Sequence, residues 1–215
     1  MSQSKTRLSP VLAFQERKEL TRRMLFDVLG AVTQSKMVDR TIVVCSDNKI
    51  LKSRTFPNVR IFNDGIGEDL NIDLKAAVEY CMNKSVKALL ILPGDIPLIQ
   101  ENDIEPIVSS SSCAAVVIVP SRDELGTNAL LLRPPNVISP AFGPSSYQSH
   151  LSLAARQTID VKTLRIARIS LDIDKPKDIE DFLSFPGEST ARDYLLRLGM
   201  IERLQNLRSS IEYVT

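Results

Sequence analysis

Asp95 stands in Leu92-Pro93-Gly94-Asp95-Ile96-Pro97-Leu98, directly after the apolar run Lys87-Ala88-Leu89-Leu90-Ile91. That run reads as a fully buried strand. A strand that ends in a lone carboxylate between two prolines puts it at the carboxyl edge of a sheet, where open α/β folds bind ligands. Each proline fixes its own φ and restricts the residue before it, so the turn is stiff and the carboxylate aimed. A rigid carboxylate at a strand end suits a hard cation such as magnesium. The plainer alternative is a loop Asp that caps the next helix. A second acidic stretch, Leu171-Asp172-Ile173-Asp174-Lys175-Pro176-Lys177-Asp178, sets Asp172 and Asp174 on one side of an extended segment. Neighbouring carboxylates repel unless a cation or hydrogen bonds compensate. With Asp95 they make a three-carboxylate set for magnesium. Alternatively Asp174 is an N-cap, with Pro176 in the first turn of a helix; the two readings are compatible.

Three further stretches suit anions. Gly126-Thr127-Asn128 is a small turn offering backbone N–H groups and a hydroxyl. Phe142-Gly143-Pro144-Ser145-Ser146-Tyr147 leads into a helix that Ser146 can cap, which would aim free N–H groups at whatever lies in front. His150, the one histidine, follows a turn later; such a residue more often packs or hydrogen-bonds than catalyses. Lys5-Thr6-Arg7-Leu8-Ser9 precedes the first helix, and two cations there suit a polyphosphate, or else form a solvated tail.

The elements that must position these residues alternate. Ser9-Pro10 opens a helix carrying Leu20, Met24, Leu25, Val28, Leu29 and Val32 at helical spacing. Strands are expected at 41–44, 59–62, 114–119 and 128–132, with one or two more over 164–171. Helices are expected through Leu70 to Cys81, over 103–108 and 148–156, and from Asp178. The alternation argues for a mixed, mainly parallel sheet with helices on both faces. Such a fold normally opens on a buried strand, and Met1-Ser2-Gln3-Ser4-Lys5 cannot supply one. The first strand is therefore expected to be missing, leaving its neighbours short of ladder partners. Residues 1–185 read as one domain and 186–215 as a helical extension. Its stripe of Leu195, Leu198, Ile201 and Leu204 could serve a homodimer.

With 27 basic and 26 acidic residues the net charge is +1, which gives no nucleic-acid or membrane signal. No run of about 18 apolar residues suggests a membrane span, and the N-terminus shows no secretory signal. Cys45, Cys81 and Cys113 are odd in number and widely spaced, as in a reducing cytoplasm.

The ordered series L-P-x-D-I-P-L, G-T-N-A-L, F-G-P-x-S, a histidine, then L-D-I-D-x-P-x-D resembles the 2-phospho-L-lactate guanylyltransferase family over roughly Lys5 to Leu183. That family makes the phosphodiester precursor of coenzyme F-420 and has a Rossmann-like nucleotidyltransferase fold. The resemblance implies an enzyme moving GMP from GTP to (2S)-2-phospholactate or phosphoenolpyruvate, with release of pyrophosphate. It implies magnesium on Asp95, Asp172 and Asp174, and acceptor contacts from Thr127, Gly143 and Ser146. It places Lys5 and Arg7 at the triphosphate and Asn71, in Asp69-Leu70-Asn71, near the nucleoside. The family places an apolar strand ahead of its K-x-R-L loop, and no such strand is found here. The rivals are a nucleotidyltransferase using CTP or UTP, and a nucleotide-binding protein without catalysis.

Overall fold

A computed structural model describes residues 5–45, 51, 54–62 and 69–212, with side chains to residue 209. The polar opening 1–4 lies outside the described residues. Its first long element is α1 (Phe14–Gln34), which begins later than the Ser9-Pro10 expectation. A turn of 3-10 helix, Thr6–Leu8, comes first, and the Glu16 carboxylate accepts from Ala13 N–H (2.8 Å) to start α1. Leu20, Met24, Val28 and Val32 share the inner face of α1, as their spacing requires.

The strands are β1 (Thr41–Val44), β2 (Val59–Phe62), β3 (Leu89–Ile91), β4 (Val116–Pro120), β5 (Thr127–Leu132) and β6 (Val161–Thr163). They form two sheets, a parallel β1–β2 pair and a mixed sheet in the order β3-β5-β4-β6. In the mixed sheet β4 runs parallel to β6, and β5 runs against both β3 and β4. The sheet is thus mixed as expected, with the antiparallel β5 at its centre. β4 and β5 are buried along their whole length, with Val117, Val119, Ala129 and Leu131 packed on α1 and Val116, Ile118, Leu130 and Leu132 on the other face. Leu89, Leu90 and Ile91 are only half-buried, not fully buried as expected, because among the described residues β3 is an edge strand paired with β5 alone. Helix α1 spans the break between the sheets: Val28 and Val32 face the mixed sheet, while Phe26 and Leu29 meet Val43 and Phe56 by the β1–β2 pair.

The connecting helices are α2 (Leu70–Asn83), α3 (Ile104–Ser110), α4 (Ser146–Arg156), α5 (Ala167–Ser170) and α6 (Pro176–Ser184). The strand expected up to Leu171 is not formed beyond Thr163. The chain turns into α5 instead, where Arg168 reaches Asp103 with two hydrogen bonds (2.8 and 2.5 Å). Helices α7 (Thr190–Arg197) and α8 (Met200–Glu212) replace the single expected stripe, broken at Gly199 with φ +64°. The break turns Ile201 outward, while Leu195, Met200 and Leu204 pack against Leu8, Leu20 and Met24. Of the expected stripe, Leu195, Leu198 and Leu204 thus pack inside the chain and Ile201 does not. Asp27 of α1 caps α7, accepting from Thr190 N–H (2.8 Å), Ala191 N–H (2.9 Å) and the Thr190 hydroxyl (2.9 Å). Such a cap is worth about 1 kcal/mol.

Candidate active site

The edge where β3 and β4 end and β5 begins gathers the candidate residues. Asp95 follows β3 by four residues, in a turn anchored by the fully buried Ile96. Gly94 lies close to α1, where an added Cβ would come within 3.3 Å of the Leu25 side chain. The 171–174 segment is no strand, yet it runs beside this turn: Ile173 N–H donates to the Asp95 carbonyl (3.1 Å). Leu171 and Ile173 are buried, so alternation turns Asp172 and Asp174 the other way, as expected. Asp174 is not the helix cap. The N-cap is Lys175, and Asp178 in the first turn reaches back to it, its carboxylate accepting from Asp174 N–H (3.0 Å) and Lys175 N–H (2.7 Å).

Asp95 and Asp174 instead share Lys5. Its ammonium lies 2.6 Å from Asp95 Oδ2 and also donates to Asp174 Oδ1. The Lys5 side chain is 6% exposed. Burial opposes its charge, but the two carboxylates outweigh that and hold its pKa above the usual lysine value. Lys5 adopts φ 61° to reach this place. The lysine expected at a triphosphate is therefore tied to the acidic pair. Arg7 is exposed on the Thr6–Leu8 turn.

Asp172 accepts from Asn128 Nδ2 (3.0 Å), which also donates to the Ile169 carbonyl (3.0 Å). Burial first, then the charges of Asp95 and Asp174, push the Asp172 carboxyl above the ordinary carboxylate range. Asp172 thus feels the charge of both other carboxylates. Asp95 Oδ1 is buried with no hydrogen-bond partner. Among the described residues no three acidic, histidine or cysteine side chains form a ready metal cage; the Lys5 ammonium lies between two of them. Sequence reasoning missed Asn128 as the group that orients Asp172. The signal was its place in β5, where it must face opposite to Thr127.

On the other side of β5 His150 links Thr127 to the loop that carries Gly143, and Ser146 begins the helix of His150. Thr127 Oγ1 is 3.0 Å from His150 Nδ1, and His150 Nε2 accepts from Ala141 N–H (3.0 Å). Gly143 takes φ +136° with nothing within 4 Å of an added Cβ, so its α-carbon faces open space. Ser146 is buried at the start of α4 but does not cap it; the N-cap is Ser145, at φ 57° with no side-chain bond. Nor are the first N–H groups of α4 all free, since Ser146 N–H donates to Gly143 (3.1 Å) and Tyr147 N–H to Leu125 (3.2 Å). The Gly126 N–H is likewise taken, by Ser121 Oγ (2.7 Å). Asn71 does not face open space. Its amide spans the Phe142 backbone, donating to the carbonyl (2.8 Å) and accepting from the N–H (2.7 Å). Both of its polar atoms are engaged in holding the loop that carries Gly143.

The edge thus holds a carboxylate cluster around a buried ammonium on one side of β5, and the Thr127–His150 pair with the loop of Ala141 and Gly143 on the other. Comparison with known proteins gives the family. A family model described as "Guanylyl transferase CofC like" matches residues 1–212. The 2-phospho-L-lactate guanylyltransferase of Methanothermobacter thermautotrophicus is 35% identical over 196 residues, covering 91% of this chain and 85% of that protein. The phosphoenolpyruvate guanylyltransferase of Sphaerobacter thermophilus is 32% identical over 182 residues, 84% of this chain and 87% of that protein. Among solved structures, a protein of Desulfovibrio desulfuricans G20 described as a nucleotide-diphospho-sugar transferase superposes with TM-score 0.76 at 18% identity, over 94% of this chain and 90% of that one. A 4-diphosphocytidyl-2C-methyl-D-erythritol synthase gives TM-score 0.57 at 18% identity, over 74% and 88%. These two likenesses concern the fold, which is that of nucleotidyltransferases. Matched along its length by the family model and at a third identity by named guanylyltransferases, the chain belongs to the CofC-like guanylyl transferase family.

Proposed function

We propose that the chain transfers GMP from GTP to a small phosphorylated acid, 2-phospho-L-lactate or phosphoenolpyruvate, releasing pyrophosphate. The acceptor's phosphate oxygen attacks the α-phosphorus of GTP. A phosphate monoester is already anionic at neutral pH, so no general base is needed. This agrees with a site whose single histidine is engaged on both ring nitrogens. What the reaction needs is alignment of two anions and neutralisation of their charge.

Magnesium fits the carboxylate set. Asp95, Asp172 and Asp174 offer hard oxygen donors, Asp95 Oδ1 is buried without a partner, and a cationic ammonium already sits between two of the three. Bound there, the ion would supply charge neutralisation at the phosphates. Lys5 would then leave the acidic pair and pair with phosphate oxygens, with the exposed Arg7 beside it. Thr127, Gly143 and Ser146 would hold the acceptor. The observation that carries this reading is the meeting of Asp95, Asp172, Asp174 and Lys5 at one sheet edge in a chain of this family.

The test is pyrophosphate release with GTP, CTP or UTP, each paired with phosphoenolpyruvate or 2-phospho-L-lactate. Release only with GTP and an acceptor is expected, and Asp95→Asn should cut turnover about a hundredfold. Equal turnover with CTP, or a fully active Asp95→Asn protein, would defeat the reading.

A further inference from the structure

We propose that His150 is a positioning residue for the acceptor: held with its single proton on Nδ1, the ring makes the Thr127 hydroxyl accept, and so turns that hydroxyl's own proton toward the incoming anion. This rests on the reading above, in which Thr127 lines the acceptor cradle.

The direction of each bond follows from the donors. A backbone N–H can only donate, so Ala141 N–H at 3.0 Å requires a lone pair on Nε2. The ring is fully buried, and burial pushes its pKa down to about 4, so at neutral pH it carries one proton. With Nε2 unprotonated, that proton is on Nδ1. Thr127 Oγ1, 3.0 Å away, therefore accepts from the ring. A hydroxyl that accepts still owns a proton, and the ring cannot take it. Among the described residues Thr127 Oγ1 has no second partner, so that proton is available to an acceptor oxygen. The opposite tautomer would reverse the bond and present an incoming phosphate with lone pairs.

The ring also holds the facing wall. Ala141 N–H is engaged by His150, the Phe142 backbone by Asn71, and the Phe142 ring meets the imidazole edge-on (5.1 Å, 71°). The loop is thereby fixed up to Gly143, the residue proposed to meet the anion. One imidazole thus sets both the donor on β5 and the loop opposite it.

Because the chain holds one histidine, long-range proton–nitrogen spectra of histidine-labelled protein give one pair of ring signals. A protonated Nδ1 with a bare Nε2 at neutral pH is expected; the reverse, or a ring averaging between both, overturns the proposal even if no variant folds. Kinetics supply the second readout. Asn carries its amide N–H near the Nδ1 position and Gln near Nε2. His150→Gln should raise the acceptor KM about fivefold, the worth of one neutral hydrogen bond, with His150→Asn recovering most of that and the GTP KM steady in both. Equal effects from Gln and Asn would mean a merely structural histidine. Thr127→Val separates the two layers. If it leaves the acceptor KM unchanged, the acceptor reading fails and this inference with it. If it raises that KM while the spectra show Nε2–H, this inference alone fails.

Discussion

Replacing His150 by Asn should flatten the response of stability to mild acid. In the unfolded chain a histidine takes a proton near pH 6.5, whereas the buried ring resists until about pH 4. Between those values the unfolded state binds the extra proton. The ring's contribution is therefore present in full above about pH 6.5 and is lost as pH falls toward 4. At about 1.4 kcal/mol per pH unit the ceiling is about 3 kcal/mol. Stopping at pH 5 should realise about 2 kcal/mol of it. That is a large part of the total stability of an ordinary domain, about 5–15 kcal/mol. Asp27 and Asp172 have pKa values pushed up by burial and work in the opposite sense, since they favour the folded state as it protonates. Comparison with the variant cancels them. The assay is urea unfolding of both proteins at about pH 7 and about pH 5. The wild type should lose about 2 kcal/mol more than His150→Asn between the two. Parallel losses would refute a neutral, buried ring.

Lys5→Met removes the ammonium between Asp95 and Asp174. Manganese binding without nucleotide, measured calorimetrically, should tighten by about tenfold or more as a competing cation disappears; unchanged affinity would mean that ion and ammonium do not share a place. Asn71→Ala removes two hydrogen bonds from Phe142, so the acceptor KM should rise by about fivefold or more while that for GTP holds; the converse would restore Asn71 to the nucleoside. Asn128→Leu leaves Asp172 without its amide donor in a buried place, so the Asp172 carboxyl should titrate higher still, seen by carboxyl carbon shifts across a pH series. An unshifted titration would show that the amide does not stabilise the charged form.

Much of the arrangement was legible because it follows from local rules. The stiff Pro93–Pro97 turn aimed Asp95 and the alternation of 171–174 set Asp172 and Asp174 on one side of their segment, while the meeting of the two stretches was implied by the family resemblance and not by local rules. The fate of Lys5 was not legible: its two partners are 90 and 169 residues away, and nothing near Lys5 distinguishes a phosphate-binding lysine from a paired one. The same holds for Asn71, whose amide meets a backbone 71 residues on. Ser145 and Ser146 could not be told apart by composition, since either suits a cap; only the φ of 57° at Ser145 decides it. Over 164–171 the alternation reads as strand, whereas the chain forms the helical turn α5, whose Arg168 pairs with the distant Asp103, a contact that no local pattern announces.

The cluster that joins Leu8 to Ala191, Leu195 and Met200 bears on the order in which the molecule can be completed. Lys5 is aimed by the turn that Leu8 anchors, and Leu8 gains much of its burial from α7 and α8. Arg203 adds a hydrogen bond to the Val11 carbonyl (3.1 Å) and an ion pair with Glu16. During synthesis these contacts wait until α7 and α8 have left the ribosome. Loop closure over such a span costs little extra free energy, but it cannot happen early. Lys5, the counter-ion of Asp95 and Asp174, thus sits three residues from a side chain whose cluster is completed by α7 and α8. Cutting the chain before α7 removes no candidate site residue, yet it takes Ala191, Leu195, Met200 and Leu204 from the cluster that holds Leu8, three residues from the lysine paired with Asp95 and Asp174.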